Sequence, residues 1–519
     1  MNGSTRRRCP TLVVGILLGI IFSLLPRGAQ GFAPSEEDPR AWLRALDSLS
    51  SERILADITT LSSPAFNGRQ AGSEDDLRSA YWVADRFRAA NVSLAVLPLD
   101  RVNVPSRGKD DAPTGFMSKP HQTLVIAPEP RLQLSTSGIA DNQRVGTDFL
   151  PVLDSPSAHA RAPIVFVGYG LVDAASNMND YAEVNASNCI VLFLRGKPDH
   201  FKSTITHADK VRIARQKGAV GYLTATGPVL SAYEMRRGVT GQPSAFYGLS
   251  PAPENLPGAW ISSSRAEQII AGADHSNHER LRSLQEQLNR TSESRSFRTE
   301  YFGALDWESK QVQNPLINVI AVLPGTDPQL TQEAIVIGAH RDHFGHQAGL
   351  LFPGADDNAS GTAVLLEVAR VLAKAGAHPG RTILFISFSG EEQGLVGSRL
   401  YVERPLVPVA TTRTMINIDH AGVGNGRLTI GVTGLEKTVA LEAGQAAGLT
   451  NKLDVYGFFP GGDHVPFKEA GIPTVTVVSG GVHPHFHQPT DTADTINPEI
   501  LQTVARYVLA LTWQLANAP

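Results

Sequence analysis

From residue 316 onward, short apolar runs alternate with amphipathic stretches, and most of the runs end on titratable residues. The pattern predicts strands at 316–323, 334–338, 382–387, 414–418, 428–432 and 474–478. It predicts helices at 359–375, 394–403, 435–447 and 498–516. Such alternation specifies an α/β fold, an open and largely parallel or mixed sheet covered by helices on both faces. Ligands bind these sheets beyond the carboxyl ends of the strands. There the chain places His340-Arg341-Asp342-His343, Glu391-Glu392, Asp419-His420 and, after a loop, His483-Pro484-His485-Phe486-His487. A Gly-rich turn at 353–361 adds Asp356-Asp357 just ahead of a helix.

Carboxylates and imidazoles gathered at one edge are costly to desolvate unless a cation neutralises them. Taken singly, a Glu-Glu pair reads as a solvated turn, a strand-end His as a satisfied polar group, and Asp356-Asp357 as a helix cap. Their coincidence at successive strand ends reverses that reading. Imidazole with carboxylate and no thiolate suits zinc or a related divalent ion in a catalytic site. Five candidate ligands fit two metals sharing a carboxylate better than one, and such a pair can activate water and polarise a carbonyl. Adjacent Glu391 and Glu392 can divide the work, one on metal and one on the proton. Asp342 is spaced to accept the other N–H of His340. The histidines at 343, 346, 420, 464, 483 and 485 read mostly as packing or supporting groups. Nucleophile-elbow, His-Glu-x-x-His and phosphate-loop spacings are missing from the sequence.

Upstream, residues 36–93 read as helical around a polar loop at 66–72, and 101–120 as a loop or flap. A β-rich block follows, with strands expected at 162–170, 188–196 and 219–224, a helix at 205–217 and a helical stretch at 263–293. A domain boundary is expected near 295. The chain opens with Arg6, Arg7 and Arg8, an apolar stretch at 12–25 and small residues before Gly31. This is the form of a secretory leader cleaved after Gly31, too short for an ordinary bilayer span; an uncleaved anchor is the rival reading. Cys9 and Cys189 exclude a disulfide scaffold and a Cys₄ site. A net charge of −4 over 519 residues gives no reason to expect nucleic acid.

The motifs together resemble peptidase family M28, the zinc metallopeptidases. The resemblance is carried by Gly338-Ala-His-Arg-Asp-His343, Pro353-Gly-Ala-Asp-Asp-Asn-Ala-Ser-Gly361, Gly390-Glu-Glu-Gln-Gly394, Asn417-Ile-Asp419, Gly462-Asp-His464 and His487-Gln-Pro-Thr-Asp-Thr492. It implies a mixed, largely parallel sheet between helices, of the zinc-exopeptidase (phosphorylase/hydrolase-like) kind. The block at 146–294 resembles an inserted protease-associated (PA) domain, dividing the peptidase domain into 32–145 and 295–519. Carried over residue by residue, the resemblance puts one zinc on His340 and Asp419, the other on Glu392 and His487, with Asp356 bridging. Glu391 would be the general base, Asp342 would orient His340, and a cis peptide would follow Asp356. Arg341 and His420 depart from the family pattern at positions expected beside the metals. The function implied is a secreted or periplasmic di-zinc exopeptidase acting on peptide N-termini. A carboxypeptidase or dipeptidase, a glutaminyl cyclase and a non-catalytic binding module stay open as alternatives.

Overall fold

Four neighbouring strands run parallel: Thr382–Phe388, Ala334–His340, Thr412–Asp419 and Thr474–Ser479. They form the centre of a nine-stranded sheet in a computed structural model that describes residues 41–97, 114–230, 235, 239–249, 255–272, 280–458 and 460–518. The leader at 1–31 and most of the expected flap lie outside the described residues. Antiparallel neighbours, Ser309–Leu323 and Leu428–Thr433, flank the parallel centre, so the sheet is mixed as the alternation predicts.

Parallel strands covered on both faces are apolar along their whole length. Every residue of Ala334–His340 is buried. Ile335, Ile337 and Ala339 enter the larger core, and Ala334 and Val336 the smaller core on the opposite face. Helices Glu74–Ala89, Gly361–Lys374 and Pro498–Asn517 pack into the larger core. Leu400, Tyr401 and Phe467 build the smaller one. Because the four strands share a direction, their ends at His340, Phe388, Asp419 and Ser479 fall along one edge. The expected helix start near Ser50 is present, with the Ser50 hydroxyl accepting from the Arg53 N–H at 3.2 Å.

A second sheet of eight strands runs from Arg131–Thr136 to Phe297–Trp307 in the sequence. Both of these strands lie outside the 146–294 block, so the β-rich region extends past each expected boundary. The chain enters and leaves it through one antiparallel ribbon, Phe116–Ile126 against Ser309–Leu323, in register from Phe116 opposite Val319 to Ile126 opposite Ser309. The expected loop at 101–120 therefore becomes strand at Phe116. Exposed Pro120 and Gln122 dilute the strand pattern there, which is how the ribbon escapes a sequence reading. Phe344, just before the hairpin strands Gly345–Gln347 and Leu350–Phe352, and Phe352, the last residue of the second, pack into the core of this second sheet. Among the described residues, no helix is long and apolar enough to cross a membrane.

Candidate functional site

The turn Ala355–Ser360 decides which carboxylate faces which partner. Gly354 enters it at φ 60°, where a Cβ would collide with the Asp357 carbonyl. Asp491 accepts from the N–H groups of Asp356 at 2.9 Å and Asp357 at 3.0 Å. Buried Arg69, from the loop at 66–72, donates to the carbonyls of Pro353 at 2.7 Å, Gly354 at 2.8 Å and Arg341 at 2.6 Å. Fixed in this way, the two adjacent aspartates point apart.

Asp357 stands between two clusters. Its Oδ1 lies 3.4 Å from His340 Nε2 and its Oδ2 lies 3.1 Å from His487 Nε2. On the first side His340 Nε2 is 3.3 Å from Asp419 Oδ1. On the second, His487 Nε2 is 3.5 Å from Glu392 Oε2, and His343 Nδ1 is 2.8 Å from Glu392 Oε1. Asp356, expected to bridge, instead meets His483 Nδ1 at 2.7 Å and His420 Nδ1 at 3.3 Å, and accepts from the Gly422 N–H at 2.8 Å. The cis peptide likewise falls one residue later than expected, between Asp357 and Asn358. His340, Asp419, Glu392 and His487 are brought together, with Asp357 between them. The identity of two consecutive aspartates gives no sign of which one the turn aims inward.

Asp342 supports His340 differently from expectation. His340 Nδ1 lies 3.2 Å from the Asp342 carbonyl but 3.8 Å from its carboxylate, which accepts from the Glu391 N–H at 3.3 Å. Arg341 does not sit beside the cluster. Its side chain runs under the sheet edge to Asp76 at 2.5 Å and to the Ser79 hydroxyl at 3.0 Å. His420 does face the site, with Nε2 3.8 Å from Asp357 Oδ2. The region of the second sheet also reaches it, because His487 Nδ1 donates to the Ala245 carbonyl at 2.9 Å. Asp491, Arg69 and Ala245 had no functional signal in the sequence beyond lying in or near motifs.

The electrostatics follow from burial and crowding. Burial pushes the Glu391 carboxyl up to about 8; His340 opposes this, and Asp463, Asp419 and Asp357 add to it. Burial, then Asp357 and Glu391, drives Glu392 well above the usual range. Asp357 goes the other way: burial opposes its charge, but His420, His487 and His343 hold it well below. Burial resists a charge on His340, yet its bond to Asp419 and the nearby Glu391 raise it well above normal. Burial lifts Asp342 to about 6 and Asp491 to about 8. Groups pushed this far apart inside one cleft make it a candidate reactive site.

Residues 318–512 match peptidase family M28. The matched segment is less than half of the chain. Aminopeptidase YwaD of Bacillus subtilis is 34% identical over 174 residues, covering 31% of this chain and 38% of YwaD. A probable leucine aminopeptidase of Arthroderma otae is 30% identical over 219 residues, covering 39% of this chain and 58% of the fungal protein. The alignments thus span about two to three fifths of these relatives' own length. Two solved structures match nearly end to end. An aminopeptidase from Aneurinibacillus has a TM-score of 0.63 at 22% identity, covering 92% of this chain and 96% of that one. A zinc aminopeptidase from Bacillus subtilis has a TM-score of 0.58 at 21% identity, covering 90% and 96%. At these identities they carry the fold, second sheet included. The matched segment contains both flanking clusters and Asp357.

Proposed function

We propose that the protein is a di-zinc exopeptidase, an aminopeptidase that releases residues from peptide N-termini, exported by the leader at 1–31. One observation carries the reading: the two oxygens of Asp357 face two separate imidazole–carboxylate pairs, His340 with Asp419 and His487 with Glu392. The relatives named aminopeptidases and the zinc aminopeptidase of like fold support it.

The donor set fits zinc. It is imidazole nitrogen and carboxylate oxygen, and Cys189, the free cysteine among the described residues, is buried in the core of the second sheet. Burial first, and neighbouring carboxylates after it, push Glu391 and Glu392 upward, a cost to their ionised forms that dications would relieve. In this reading His340 and Asp419 would hold one zinc and Glu392 and His487 the other, with Asp357 placed to serve both. Bound there, the ions would polarise the substrate carbonyl and ease deprotonation of water. Glu391 takes the proton from the attacking water on its carboxylate and returns it to the departing amine nitrogen. Its elevated pKa suits both halves of that task. His340 is steadied by the Asp342 carbonyl, and His487 by that of Ala245. The region of the second sheet acts as a PA-like insert walling one side of the site.

Two measurements on one sample test this reading. Metal analysis should find two zinc per chain, and aminoacyl amides should be cleaved while their N-acetyl forms are not. Cleavage of N-acetyl peptides that keep a free C-terminal carboxylate, with aminoacyl amides left intact, would replace the aminopeptidase by a carboxypeptidase; a single zinc with cyclisation of N-terminal Gln would replace it by a cyclase.

A further inference from the structure

Among the described residues, three groups of imidazole and carboxylate side chains each bring their ligand atoms within 4.8 Å of one another, close enough to share an ion. Two of them, His340 with Asp357 and Asp419 and His343 with Asp357 and Glu392, coincide with the two halves of the proposed reaction centre. The third, Asp356 with His420 and His483, has no part in it. His420 stands at one of the two positions where the chain departs from the family pattern, and it supplies the second imidazole of this trio.

Each member turns one ligand atom inward. Asp356 Oδ1 accepts from the Gly422 N–H at 2.8 Å, which fixes the carboxylate. Its Oδ2 is left facing both rings, 2.7 Å from His483 Nδ1 and 3.3 Å from His420 Nδ1. His483 Nε2 lies 3.1 Å from the Ser479 carbonyl. A carbonyl only accepts, so Nε2 carries the hydrogen and Nδ1 of the neutral ring offers its lone pair to the trio. Metal-binding histidines make this kind of bond with their other nitrogen. A lone pair set against a carboxylate oxygen is relieved by a cation, and one ion serves all three atoms. Zinc bonds of about 2.0–2.1 Å in a tetrahedron put neighbouring ligand atoms about 3.3 Å apart. The His420 contact already has that spacing, and the His483 contact has to open by about 0.6 Å. The His420 side chain is 15% exposed, which gives an ion a way in.

The donors also select the ion. Imidazole suits zinc, copper and nickel, whereas magnesium, calcium and manganese take oxygen ligands. With one carboxylate where each neighbouring group has two, the trio holds its ion less tightly than they do.

We propose that Asp356, His420 and His483 form a third divalent-cation site, which takes zinc or a similar imidazole-seeking ion and slows the enzyme when filled. The proposal rests on the di-zinc exopeptidase reading and adds a regulation to it. The slowing follows from His420. With Nδ1 on the ion, the neutral ring carries its hydrogen on Nε2, which lies 3.8 Å from Asp357 Oδ2 and 3.9 Å from Asp419 Oδ1. That N–H draws on two carboxylates of the reaction centre, and the added positive charge opposes the free amino group of a peptide.

The test is equilibrium dialysis of the full chain in zinc buffers from the nanomolar to the high-micromolar range, with zinc counted and aminoacyl-amide hydrolysis assayed at each step. The count should hold at two and then rise to three, with turnover falling along the same curve. His420→Leu and His483→Gln should each lose the third ion, and with it the fall in turnover, while still counting two. A wild-type count that stays at two overturns the site. So does a third ion that survives in both variants, which would place it elsewhere on the protein. Unchanged turnover at a count of three overturns the regulation. Melting temperatures show whether a variant is folded, and a folded one decides alone if the other is not. The wild type supplies an arm that needs no variant: magnesium at the same concentrations should leave turnover unchanged, and a fall with magnesium overturns imidazole ligation. Fewer than two zinc at the low end, with no hydrolysis, overturns the di-zinc exopeptidase reading instead.

Discussion

Ala245 and His487 exchange two hydrogen bonds: the Ala245 N–H donates to the His487 carbonyl at 3.0 Å, and His487 Nδ1 donates to the Ala245 carbonyl at 2.9 Å. A residue from the second-sheet region thereby fixes both the backbone and the ring of a proposed zinc ligand, whose Nε2 is left facing Asp357 and Glu392. Gln488 ties the same segments together, donating to Ser244 Oγ at 2.7 Å and to the Pro243 carbonyl at 3.0 Å. Partners of metal-bound histidines are worth roughly 10–100-fold in affinity. Gln488→Leu should therefore weaken zinc by about tenfold at one of two sites, leaving the His340–Asp419 site loaded. Competition with a chelator, followed by metal counting, reads this directly. Equal loss from both sites would mean that the clamp is not local to His487.

The positions of Asp356 and Asp357 yield a sharper contrast. Asp357 faces both clusters, whereas Asp356 is held by His483, His420 and Gly422. Asp357→Asn should strip zinc from the protein and remove activity. Asp356→Asn should keep two zinc and chiefly lower stability, by about 1–3 kcal/mol for a disturbed buried polar group. Metal content and denaturant unfolding of the two variants decide between them. The reverse pattern would restore Asp356 as the bridging residue.

That pair also shows where the sequence stops being informative. Strand–helix alternation made the parallel centre legible, because burial on both faces leaves continuous apolar runs such as Ala334–His340. Parallel direction then implied that the residues past each strand would meet, and His340, Glu392, Asp419 and His487 do meet. Inside the turn Ala355–Ser360, however, two identical neighbours differ only in backbone direction. That direction is set by Asp491 and Arg69, 134 and 288 residues away from Asp357. The ribbon Phe116–Ile126 was illegible for another reason: half-exposed strands carry Pro120 and Gln122 where a buried strand would carry valine. Arg341 misled because strand-end position says nothing of which face a side chain takes, and its partner Asp76 lies on a helix far upstream.

Glu391 is assigned the proton transfers, and its carboxyl is pushed up to about 8 by burial and by Asp463, Asp419 and Asp357. Glu391→Gln keeps shape and burial but cannot take up a proton. Turnover should fall by about 10²–10⁴-fold, the usual worth of a general acid–base, while zinc content stays at two per chain. Parallel assays of kcat and metal on the purified variant check the pair of outcomes. Full activity in Glu391→Gln would return the role to another group in the cleft.

Asp154, in the second-sheet region, gives a pH signature separate from the site. It accepts from the N–H groups of Gly248 at 3.1 Å and Leu249 at 2.8 Å, in the segment that also carries Ala245. Burial nevertheless raises its carboxyl from 3.8 to about 6, with the two backbone bonds pulling the other way. A carboxyl with a higher pKa in the folded chain binds its proton more tightly there than in the unfolded chain. Its stabilising contribution is thus complete below about pH 3.8 and is lost as pH rises through 6. Two pKa units correspond to about 3 kcal/mol. Asp154→Asn cannot titrate, so between pH 4 and 7 the wild type should lose stability relative to the variant by up to about this amount. Urea unfolding of both proteins across that range measures the difference. A difference that is flat, or that grows in favour of the wild type as pH rises, would show that the folded chain stabilises the ionised form of Asp154 instead.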